Sequence, residues 1–299
     1  MDLRVGLIGL GRMGGGMALR ILAAPFPLTV CDLHPEKAHN LVEAGAIFKD
    51  SPAGLAQICQ VVLLSLPNTR TVEEVLFGEK GLAEALSPGA VVVDTSTISP
   101  LASRLFAQQL SQKGIDMLDS PVSGGSEGAR KGALSMMVGG SAAVLEKVRP
   151  VLSSLTASIT YIGENGMGQA VKMVNQVILA GNILAMSEGI LLAKHYGLDL
   201  QKTLQAVQGG AAGSWMLSNL APKVIAGDYA PSFTIELMLK DLRIALETAD
   251  QLGVPLASTA QIFQLYRSIA AQGHAQDGNH ALIQALEALT QGIQVKNDG

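Results

Sequence analysis

The stretch Val5-Gly-Leu-Ile-Gly-Leu-Gly-Arg-Met-Gly14 places three glycines in the pattern G-x-G-x-x-G directly after a short apolar run. The apolar run is typical of a buried strand, and the residues after it have the pattern of a helix. Gly9 permits a tight turn, Gly11 lets another group approach the backbone, and Gly14 lets the helix pack against the strand. The chain is therefore predicted to begin with a strand, a tight turn and a helix whose N-terminus can face an anion.

Strand and helix patterns alternate through the first half of the chain. Short, almost wholly apolar strands that alternate with helices indicate a parallel sheet covered on both faces. Because connections between parallel strands are nearly always right-handed, a doubly wound sheet is expected. The predicted strands are residues 4–8, 28–31, 61–64, 90–94 and 116–119, the predicted helices are residues 13–23, 35–44, 69–76 and 100–113, and a strand, helix and strand at residues 134–138, 142–152 and 158–162 extend the sheet.

The strand signals stop where a long apolar helix begins, at about residues 168–195. Its regular part, residues 171–195, has about 25 residues and would be about 37 Å long at the standard helical rise. Further helices are predicted at residues 199–208, 215–226, 235–251, 255–272 and 281–291. We therefore predict an α/β fold in two parts: a doubly wound parallel sheet over residues 1–163, and an all-helical C-terminal domain over residues 164–299, joined by the long helix.

The composition excludes several classes of function. Apolar residues make up 48% of the 299 residues, and the net charge is −4, so no basic surface for nucleic acid or an anionic membrane is expected. The most apolar stretch, residues 174–193, contains Asn175 and Glu188, which a buried helix explains better than a membrane span. Cys31 and Cys59 lie in or near predicted strands, so we expect reduced buried thiols, no metal site and a cytoplasmic location.

Asp32 closes the second predicted strand, where a dinucleotide-binding unit carries the residue that selects its cofactor. Together with the N-terminal glycines, which enclose Arg12 and Met13, Asp32 predicts a nicotinamide dinucleotide site. A carboxylate here accepts hydrogen bonds from both ribose hydroxyls and repels a 2′-phosphate. We therefore expect NAD(H) as the cofactor. NADP(H) is at most a secondary cofactor, with Lys37 nearby in sequence as the residue that favours it.

Two further strand ends are predicted to reach the same site. Leu66, Pro67 and Asn68 follow one predicted strand, and Thr97 follows the next. Ligands in open parallel sheets bind beyond the carboxyl ends of the strands, so these residues are predicted to lie near the cofactor. Helix capping is an alternative role for Asn68 and Thr97, and the two roles are compatible.

The segment Asp119-Ser-Pro-Val-Ser-Gly-Gly-Ser-Glu-Gly-Ala129 is the second distinctive part of the sequence. Ser123, Gly124 and Gly125 offer a hydroxyl and unhindered backbone N–H groups in a loop after a predicted strand. Such groups can form a concave site for a carboxylate. A flexible surface turn is the alternative interpretation.

Lys172 and Asn175 lie within Gly166-Met-Gly-Gln-Ala-Val-Lys-Met-Val-Asn-Gln176, at the start of the long helix. Their spacing of three puts the amine and the carboxamide on one helix face. A lysine in a long uncharged run is costly unless its amine reaches a polar cavity. We therefore predict a positioned proton donor, and a solvated surface lysine is the alternative.

Four motifs occur in the order that is found in the β-hydroxyacid dehydrogenases. They are the N-terminal G-x-G-x-x-G, Asp119-x-Pro-Val-Ser-Gly-Gly, Gly166-x-Gly-x-x-x-Lys172-x-x-Asn175 and Lys240-Asp241-Leu-x-x-Ala-Leu. The chain resembles that family over essentially its whole length. The resemblance implies a Rossmann-type domain, a helical domain joined to it by a long helix, and a homodimer or homotetramer formed through the helical part.

The resemblance also implies a role for each residue of these motifs. Lys172 would be the catalytic residue, and Asn175 would help to orient the substrate. Ser123, Gly124 and Gly125 would hold the substrate carboxylate, Thr97 would lie near the nicotinamide ribose, Lys240 would reach the cofactor with support from Asp241, and Trp215 and Phe233 would shape the substrate pocket. Core packing is the alternative role for both aromatic residues.

The reaction that the resemblance implies interconverts a small β-hydroxyacid and its semialdehyde. Tartronate semialdehyde reduction is the first expectation, because the Ala212-Gly-Ser-Trp215 segment resembles bacterial reductases of that substrate. The alternatives are 3-hydroxyisobutyrate oxidation and the reduction of glyoxylate or succinic semialdehyde. A non-catalytic dinucleotide-binding scaffold is an alternative of a different class, and the presence of Lys172 argues against it.

Overall fold

The computed structural model describes residues 3–290 and residue 295 of the protein. The chain divides into two compact units, Met1–Lys172 and Met173–Gly299.

A single mixed sheet organises the first unit. Its strands are β1 (Val5–Ile8), β2 (Leu28–Cys31), β3 (Ile47–Phe48), β4 (Val61–Leu64), β5 (Val91–Asp94), β6 (Asp116–Asp119), β7 (Val122–Ser123), β8 (Leu134–Gly139) and β9 (Thr156–Gly163). Within the described residues they run in the order β3-β2-β1-β4-β5-β6-β8-β7, with β9 beside β8. The order reverses at β1, so β1 and β4 flank the point where ligands bind in such sheets.

The predicted doubly wound parallel sheet is confirmed for β1 to β6, which all pair in parallel. The predicted extension of the sheet is present as well, and in it β8 runs antiparallel to β6 and β7, a direction that the sequence analysis did not specify. Hydrophobic pattern does not encode strand direction, and the pairing of β8 with the two-residue strand β7 sets that direction. The sequence analysis missed both two-residue strands, β3 and β7.

The central strands are buried on both faces, which explains why they are almost wholly apolar. Val61 and Leu63 of β4 pack into one hydrophobic core, whereas Val62 and Leu64 pack into another. Successive side chains of a strand point to opposite faces, so each core lies on one side of the sheet. The sheet is thus covered by helices on both sides, as a doubly wound fold requires.

The helices of the first unit agree with the predicted ones, apart from two that were missed. Most begin at a residue whose side-chain oxygen accepts a backbone N–H bond, as Ser51, Asn68, Ser99 and Ser141 do. The predicted helix at residues 35–44 starts as a 3₁₀ turn, Pro35–Ala38. The helices are α1 (Arg12–Ala23), α2 (His39–Glu43), α3 (Pro52–Ala56), α4 (Thr69–Phe77), α5 (Pro100–Ser111), α6 (Gly125–Lys131) and α7 (Ala142–Ser153), of which α3 and α6 were not predicted.

The long helix α8 spans Met167–Tyr196, 30 residues. By length and composition it is long and apolar enough to cross a membrane, and 44% of that apolar window is buried inside the protein. Its buried face includes the polar side chains of Gln176 and Ser187. The buried polar side chains agree with the predicted buried helix rather than with a membrane span.

Helices make up the described part of the second unit. They enclose a large hydrophobic core, in which Tyr266 is fully buried and donates a hydrogen bond to the carbonyl of Asn279 at 2.8 Å. After α8 the helices are α9 (Leu200–Val207), α10 (Trp215–Asn219), α11 (Ala221–Ala226), α12 (Ile235–Gln251), α13 (Ala257–Ile269) and α14 (Ile283–Glu287).

Three predicted helices of the second unit differ from the observed ones. The helix at residues 215–226 is two helices, because Pro222 stands in the first turn of the second and favours a new start. The helix at residues 255–272 ends in a π turn in which Gly273 has a φ of 101°. The helix at residues 281–291 begins as a 3₁₀ turn, and its last residue lies outside the described residues.

Candidate active site

The turn between β1 and α1 has the shape that the glycine pattern predicted. Gly9 has a φ of 95°, which favours glycine, and a Cβ there would meet the carbonyl oxygen of Ser65. A Cβ at Gly14 would meet the carbonyl oxygen of Gly9, so the helix could not approach the strand so closely. A Cβ at Gly11 would meet open space, and that space is where a phosphate group can approach the backbone.

The N-terminus of α1 is suited to an anion. Gly11 is its N-cap and supplies no side-chain acceptor, and the first turn carries no acidic residue. The backbone N–H groups of that turn therefore keep their affinity for a bound negative group. Arg12 is exposed at the first helical position and Met13 is half-buried.

Asp32 is fixed in place at the end of β2. Its Oδ2 accepts a hydrogen bond from the N–H of Leu10 at 2.6 Å, and its Oδ1 accepts one from the N–H of His34 at 2.9 Å. Lys37 Nζ lies 3.3 Å from Oδ1, with the lysine side chain 41% exposed and the aspartate 8%. Burial alone would raise the pKa of Asp32, but these two N–H donors and Lys37 outweigh it and hold the pKa below 3.8.

Asn68 and Thr97 take different structural roles. Asn68 Oδ1 accepts from the N–H of Thr71 at 2.9 Å, so the predicted capping role of Asn68 in α4 is confirmed. The capping alternative for Thr97 is wrong, because Ser99 caps α5. Leu66, which precedes Pro67, donates its N–H to Ser96 Oγ at 2.9 Å and so ties the two strand ends together.

Gln169 holds the loop that contains Thr97, a role that the sequence analysis missed. The glutamine is fully buried on α8. Its Nε2 donates to the carbonyl of Ser96 at 2.7 Å, and its Oε1 accepts from the N–H of Ile98 at 3.1 Å. The loop around Thr97 is therefore attached to the first turn of the helix that carries Lys172. The feature of the sequence that could have indicated this role is the polar Gln169 within the glycine-rich segment that begins the helix.

Asp119 caps the start of α8, which is a second role that was missed. Its Oδ1 accepts from the N–H of Gly166 at 2.7 Å, and its Oδ2 accepts from the N–H of Gln169 at 2.9 Å. Burial raises the pKa of Asp119, against the effect of the backbone N–H groups, Gly168 included, that stabilise its charge. A Cβ at Gly168 would lie 2.6 Å from the Asp119 carbonyl oxygen, so the helix start is closely packed on β6.

Lys172 is buried, at 6% exposure, and its Nζ donates to the carbonyl of Val122 at 2.8 Å. The surface-lysine alternative is therefore wrong. The amine lies beside the residue that precedes Ser123, so the first unit brings together two of the predicted chemical groups. Gly124 and Gly125 have φ values of 133° and 64°, and a Cβ at Gly125 would meet open space.

The predicted loop at residues 123–125 has more regular structure than expected. Ser123 ends β7, and Gly125 already begins α6. The backbone N–H groups of Gly124 and Gly125 thus belong to the junction of a strand and a helix. An ammonium group beside unhindered N–H donors is suited to bind a carboxylate and to give a proton to a neighbouring oxygen.

In the second unit, Asn175 is joined to a buried polar group on α12. Its Nδ2 donates to Gln176 Oε1 at 2.7 Å, and Gln176 Nε2 donates to Asp241 Oδ2 at 2.6 Å. Lys240 Nζ lies 2.9 Å from Asp241 Oδ1, an ion pair without the directional geometry of a hydrogen bond.

The two aromatic residues that were predicted to shape the substrate pocket differ in burial. Trp215 begins α10 and is 62% exposed, so the core-packing alternative is wrong for it. Phe233 is partly buried and packs against the hydrophobic core of the second unit.

Comparison with known families gives two matches that together span most of the chain. Residues 4–163 match the NAD binding domain of 6-phosphogluconate dehydrogenase. Residues 166–286 match the NAD-binding domain of NADP-dependent 3-hydroxyisobutyrate dehydrogenase.

Individual relatives agree with these matches over nearly the full length. The chain is 41% identical to 2-hydroxy-3-oxopropionate reductase of Escherichia coli K12, over 96% of this chain and 98% of the relative. The solved structure of Mycobacterium tuberculosis 3-hydroxyisobutyrate dehydrogenase with L-serine has a TM-score of 0.88 at 28% identity, covering 96% and 99% of the two chains. Psf3, solved in complex with NADP+ and 2-OPP, has a TM-score of 0.87 at 26% identity and covers 94% and 99%.

Proposed function

The chain belongs to the β-hydroxyacid dehydrogenase family, and we propose that it reduces tartronate semialdehyde (2-hydroxy-3-oxopropionate) to glycerate with NADH. As a member of the family it is an oxidoreductase that acts on the CH–OH group of small hydroxyacids with a nicotinamide dinucleotide. The observation that carries the proposal is the buried amine of Lys172, 2.8 Å from the carbonyl of Val122 and therefore beside Ser123. The 41% identity to a 2-hydroxy-3-oxopropionate reductase supports the choice of substrate.

The residues of the first unit fit a dinucleotide. The turn at Gly9, Gly11 and Gly14 would hold the pyrophosphate, next to Arg12 and Met13. Asp32 would accept from the ribose hydroxyls, and its anionic state, which holds down to below pH 3.8, would repel a 2′-phosphate. We therefore propose NAD(H) as the preferred cofactor. Leu66, Pro67, Asn68 and Thr97 would line the path of the cofactor, with Lys240 and Asp241 as further contacts.

Lys172 is proposed as the proton donor. A bound nicotinamide dinucleotide would supply a hydride to the aldehyde carbon, and negative charge would then develop on the aldehyde oxygen. A protonated amine next to that oxygen stabilises the charge and then donates a proton, which gives the alcohol. The hydrogen bond to Val122 fixes the direction of the amine before substrate binds.

Ser123, Gly124 and Gly125 are proposed to hold the substrate carboxylate. The positive φ values of the two glycines and the unhindered approach to Gly125 leave backbone N–H groups accessible to an anion. An anchored carboxylate presents the aldehyde to Lys172 at a fixed distance, which replaces an encounter in solution by a positioned one. Asn175, Trp215 and Phe233 would complete the substrate contacts.

We also propose a cytoplasmic homodimer or homotetramer. Support for self-association comes from one face of α8, where the apolar side chains of Val174, Ile178, Leu192 and Tyr196 are each more than half exposed. Val174 and Ile178 are four residues apart, as are Leu192 and Tyr196, and the second pair follows the first by eighteen residues. All four side chains therefore lie on one side of the helix. We also propose the functional domain boundary at residues 163 and 164, since one matched family region ends at residue 163 and the other begins at residue 166.

The choice of substrate is tested by initial rates of NADH oxidation with tartronate semialdehyde, methylmalonate semialdehyde, glyoxylate and succinic semialdehyde. We expect the highest kcat/KM for tartronate semialdehyde. A higher value for methylmalonate semialdehyde would make the protein a 3-hydroxyisobutyrate dehydrogenase, the activity that the structural neighbour of M. tuberculosis carries in its name. Tight NADH binding without turnover of any aldehyde would favour a non-catalytic dinucleotide-binding protein.

A further inference from the structure

A buried chain of hydrogen bonds runs from Asp241 on α12 to Asn175 on α8. Gln176, 1% exposed, stands between them: its Nε2 is 2.6 Å from Asp241 Oδ2, and its Oε1 is 2.7 Å from Asn175 Nδ2. Asp241 is also 1% exposed, whereas Asn175 is only half-buried. The chain therefore leads from the interior of the second unit to an accessible carboxamide.

The buried end determines the direction of every bond in this chain. The Asp241 Oδ2 atom accepts a hydrogen bond from Gln176 Nε2, so the NH₂ group of Gln176 is turned toward Asp241. Its carbonyl oxygen then faces Asn175 and can accept only from the Asn175 NH₂ group. The Asn175 carbonyl oxygen, Oδ1, is consequently the end that is turned away from Gln176. One carboxylate thus sets the orientation of two carboxamides.

The proposed substrate has one group that still needs an acceptor. In the proposed reaction Lys172 serves the aldehyde oxygen and Ser123–Gly125 serve the carboxylate, in each case by donating hydrogen bonds. The hydroxyl on C2 of tartronate semialdehyde can donate a hydrogen bond as well. Asn175, one turn of α8 beyond Lys172, offers a carbonyl oxygen that can accept it.

We propose that Asp241 and Gln176 are positioning residues that hold Asn175 Oδ1 as the acceptor for the C2 hydroxyl of the substrate. This inference rests on the proposed function, and it defines the substrate class as semialdehydes that carry a hydroxyl on C2. A site built to bond a hydroxyl rejects an analogue without one, because a polar group of the protein is then left unpaired. If the amide group of Gln176 or Asn175 could rotate by half a turn, an NH₂ donor would take the place of Asn175 Oδ1. The preference for substrates with a C2 hydroxyl would then weaken.

Methylmalonate semialdehyde is the matched probe, because it has a methyl group where tartronate semialdehyde has the C2 hydroxyl. The measured quantity is the ratio of kcat/KM for the two aldehydes with NADH. Effects on cofactor binding or on the hydride step act on both aldehydes and cancel in this ratio. Wild type is expected to favour the hydroxyl-bearing aldehyde.

Single substitutions that remove the fixed direction of these hydrogen bonds should lower the ratio of the two kcat/KM values. In Asp241→Asn the buried group can donate as well as accept, so both orientations of Gln176 become available. In Gln176→Leu the connection to Asn175 is lost. For each we expect the ratio to fall by about 3- to 10-fold, the size of one neutral hydrogen bond.

The double variant Gln176→Glu/Asp241→Asn should restore the ratio. The carboxylate is then at position 176, where it still accepts only, and the amide at position 241 can donate to it. The Asn175 NH₂ group must again turn toward position 176, which returns Oδ1 to its place. Gln176→Glu alone brings two carboxylates together and should not restore the ratio.

Two further comparisons separate positioning from loss of structure. In an Asn175→Ala background, Asp241→Asn should change the ratio no further, because the hydrogen bonds from Asp241 affect the substrate only through Asn175. Ser187→Ala, which removes another buried polar group of α8, should leave the ratio at the wild-type value. NADH binding and thermal unfolding show whether each variant is folded.

The proposal is overturned if the ratio stays at the wild-type value in Asp241→Asn and Gln176→Leu while both rates fall equally. It is also overturned if Gln176→Glu/Asp241→Asn behaves as the sum of its single substitutions. Absence of turnover of both aldehydes in wild type would instead contradict the proposed function. The two failures are therefore distinguishable.

Discussion

Neighbouring backbone groups fix the positions of the Lys172 amine and the Asp32 carboxylate. The carbonyl of Val122 fixes the Lys172 amine, and the N–H groups of Leu10 and His34 fix the Asp32 carboxylate. The sequence shows that an amine and a carboxylate stand at these positions, because rare charges in apolar or glycine-rich stretches are conspicuous. It does not show which backbone groups fold against them.

Lys37 offers a residue-level test of cofactor preference. It pairs with Asp32 at 3.3 Å but is 41% exposed, so its amine can turn to a 2′-phosphate. We expect Lys37→Ala to lower kcat/KM with NADPH about tenfold, the loss of a charge-assisted contact, and to change the value with NADH less.

Lys113→Ala is the matched control for that measurement, because Lys113 is 40% exposed and pairs with Glu84 at 2.8 Å on the surface. It should affect neither cofactor. An equal loss with both cofactors in Lys37→Ala would show that Lys37 only supports Asp32.

The start of α8 joins the loop that contains Thr97 to the buried amine of Lys172. Asp119 holds its first N–H groups, and Gln169 ties it to the loop at Ser96 and Ile98. Lys172 follows Gln169 by three residues, so its position depends on this cap. The lysine motif was visible in the sequence, whereas the cap was not, because Asp119 lies 47 residues before its partner Gly166.

Asp119→Asn should lower the free energy of unfolding by about 1–3 kcal/mol, because an amide cannot accept from all the N–H groups that the carboxylate serves. Burial raises the pKa of Asp119 in the folded state above its unfolded value, near 3.8. The folded state therefore holds this proton more tightly, and the stability that the group contributes is lost as pH rises through the raised pKa.

The advantage of wild type over Asp119→Asn should therefore shrink as the pH of urea unfolding experiments rises from 4. Asp116→Asn, at an exposed position at the other end of β6, is the control measured over the same pH range, and a trend that both variants share would not be assigned to Asp119. An advantage that grows with pH would contradict the assignment of burial as the main effect.

At the scale of the whole molecule, hydrophobic periodicity predicted the doubly wound sheet, the helical second half and the long helix between them. Six strands, β1, β2, β4, β5, β6 and β8, matched their predicted bounds to within one residue at each end, because buried strands of this kind are short and apolar. Two-residue strands such as β7 have too little sequence to give a signal. The reversed direction of β8 depends on its pairing partners, which lie elsewhere in the chain.

The exposed apolar face of α8 predicts that copies of the chain associate through it. Ile178→Glu places a charge in the middle of this face, next to Gly181, where a Cβ would meet open space. We expect this variant to be a smaller oligomer or a monomer in size-exclusion chromatography with light scattering. Leu101→Glu, at a half-exposed position of α5, should leave the wild-type mass unchanged. A monomeric wild-type protein would refute the proposed association.

The most direct test of the central claim is the rate of tartronate semialdehyde reduction by Lys172→Ala, measured together with its affinity for NADH. If Lys172 is the proton donor, kcat/KM falls by about 10²–10⁴-fold. NADH binding should stay close to that of wild type, since the amine contacts Val122 rather than the glycine turn. A variant that keeps its activity to within a few-fold would contradict the account, and the proton would then have to come from another group.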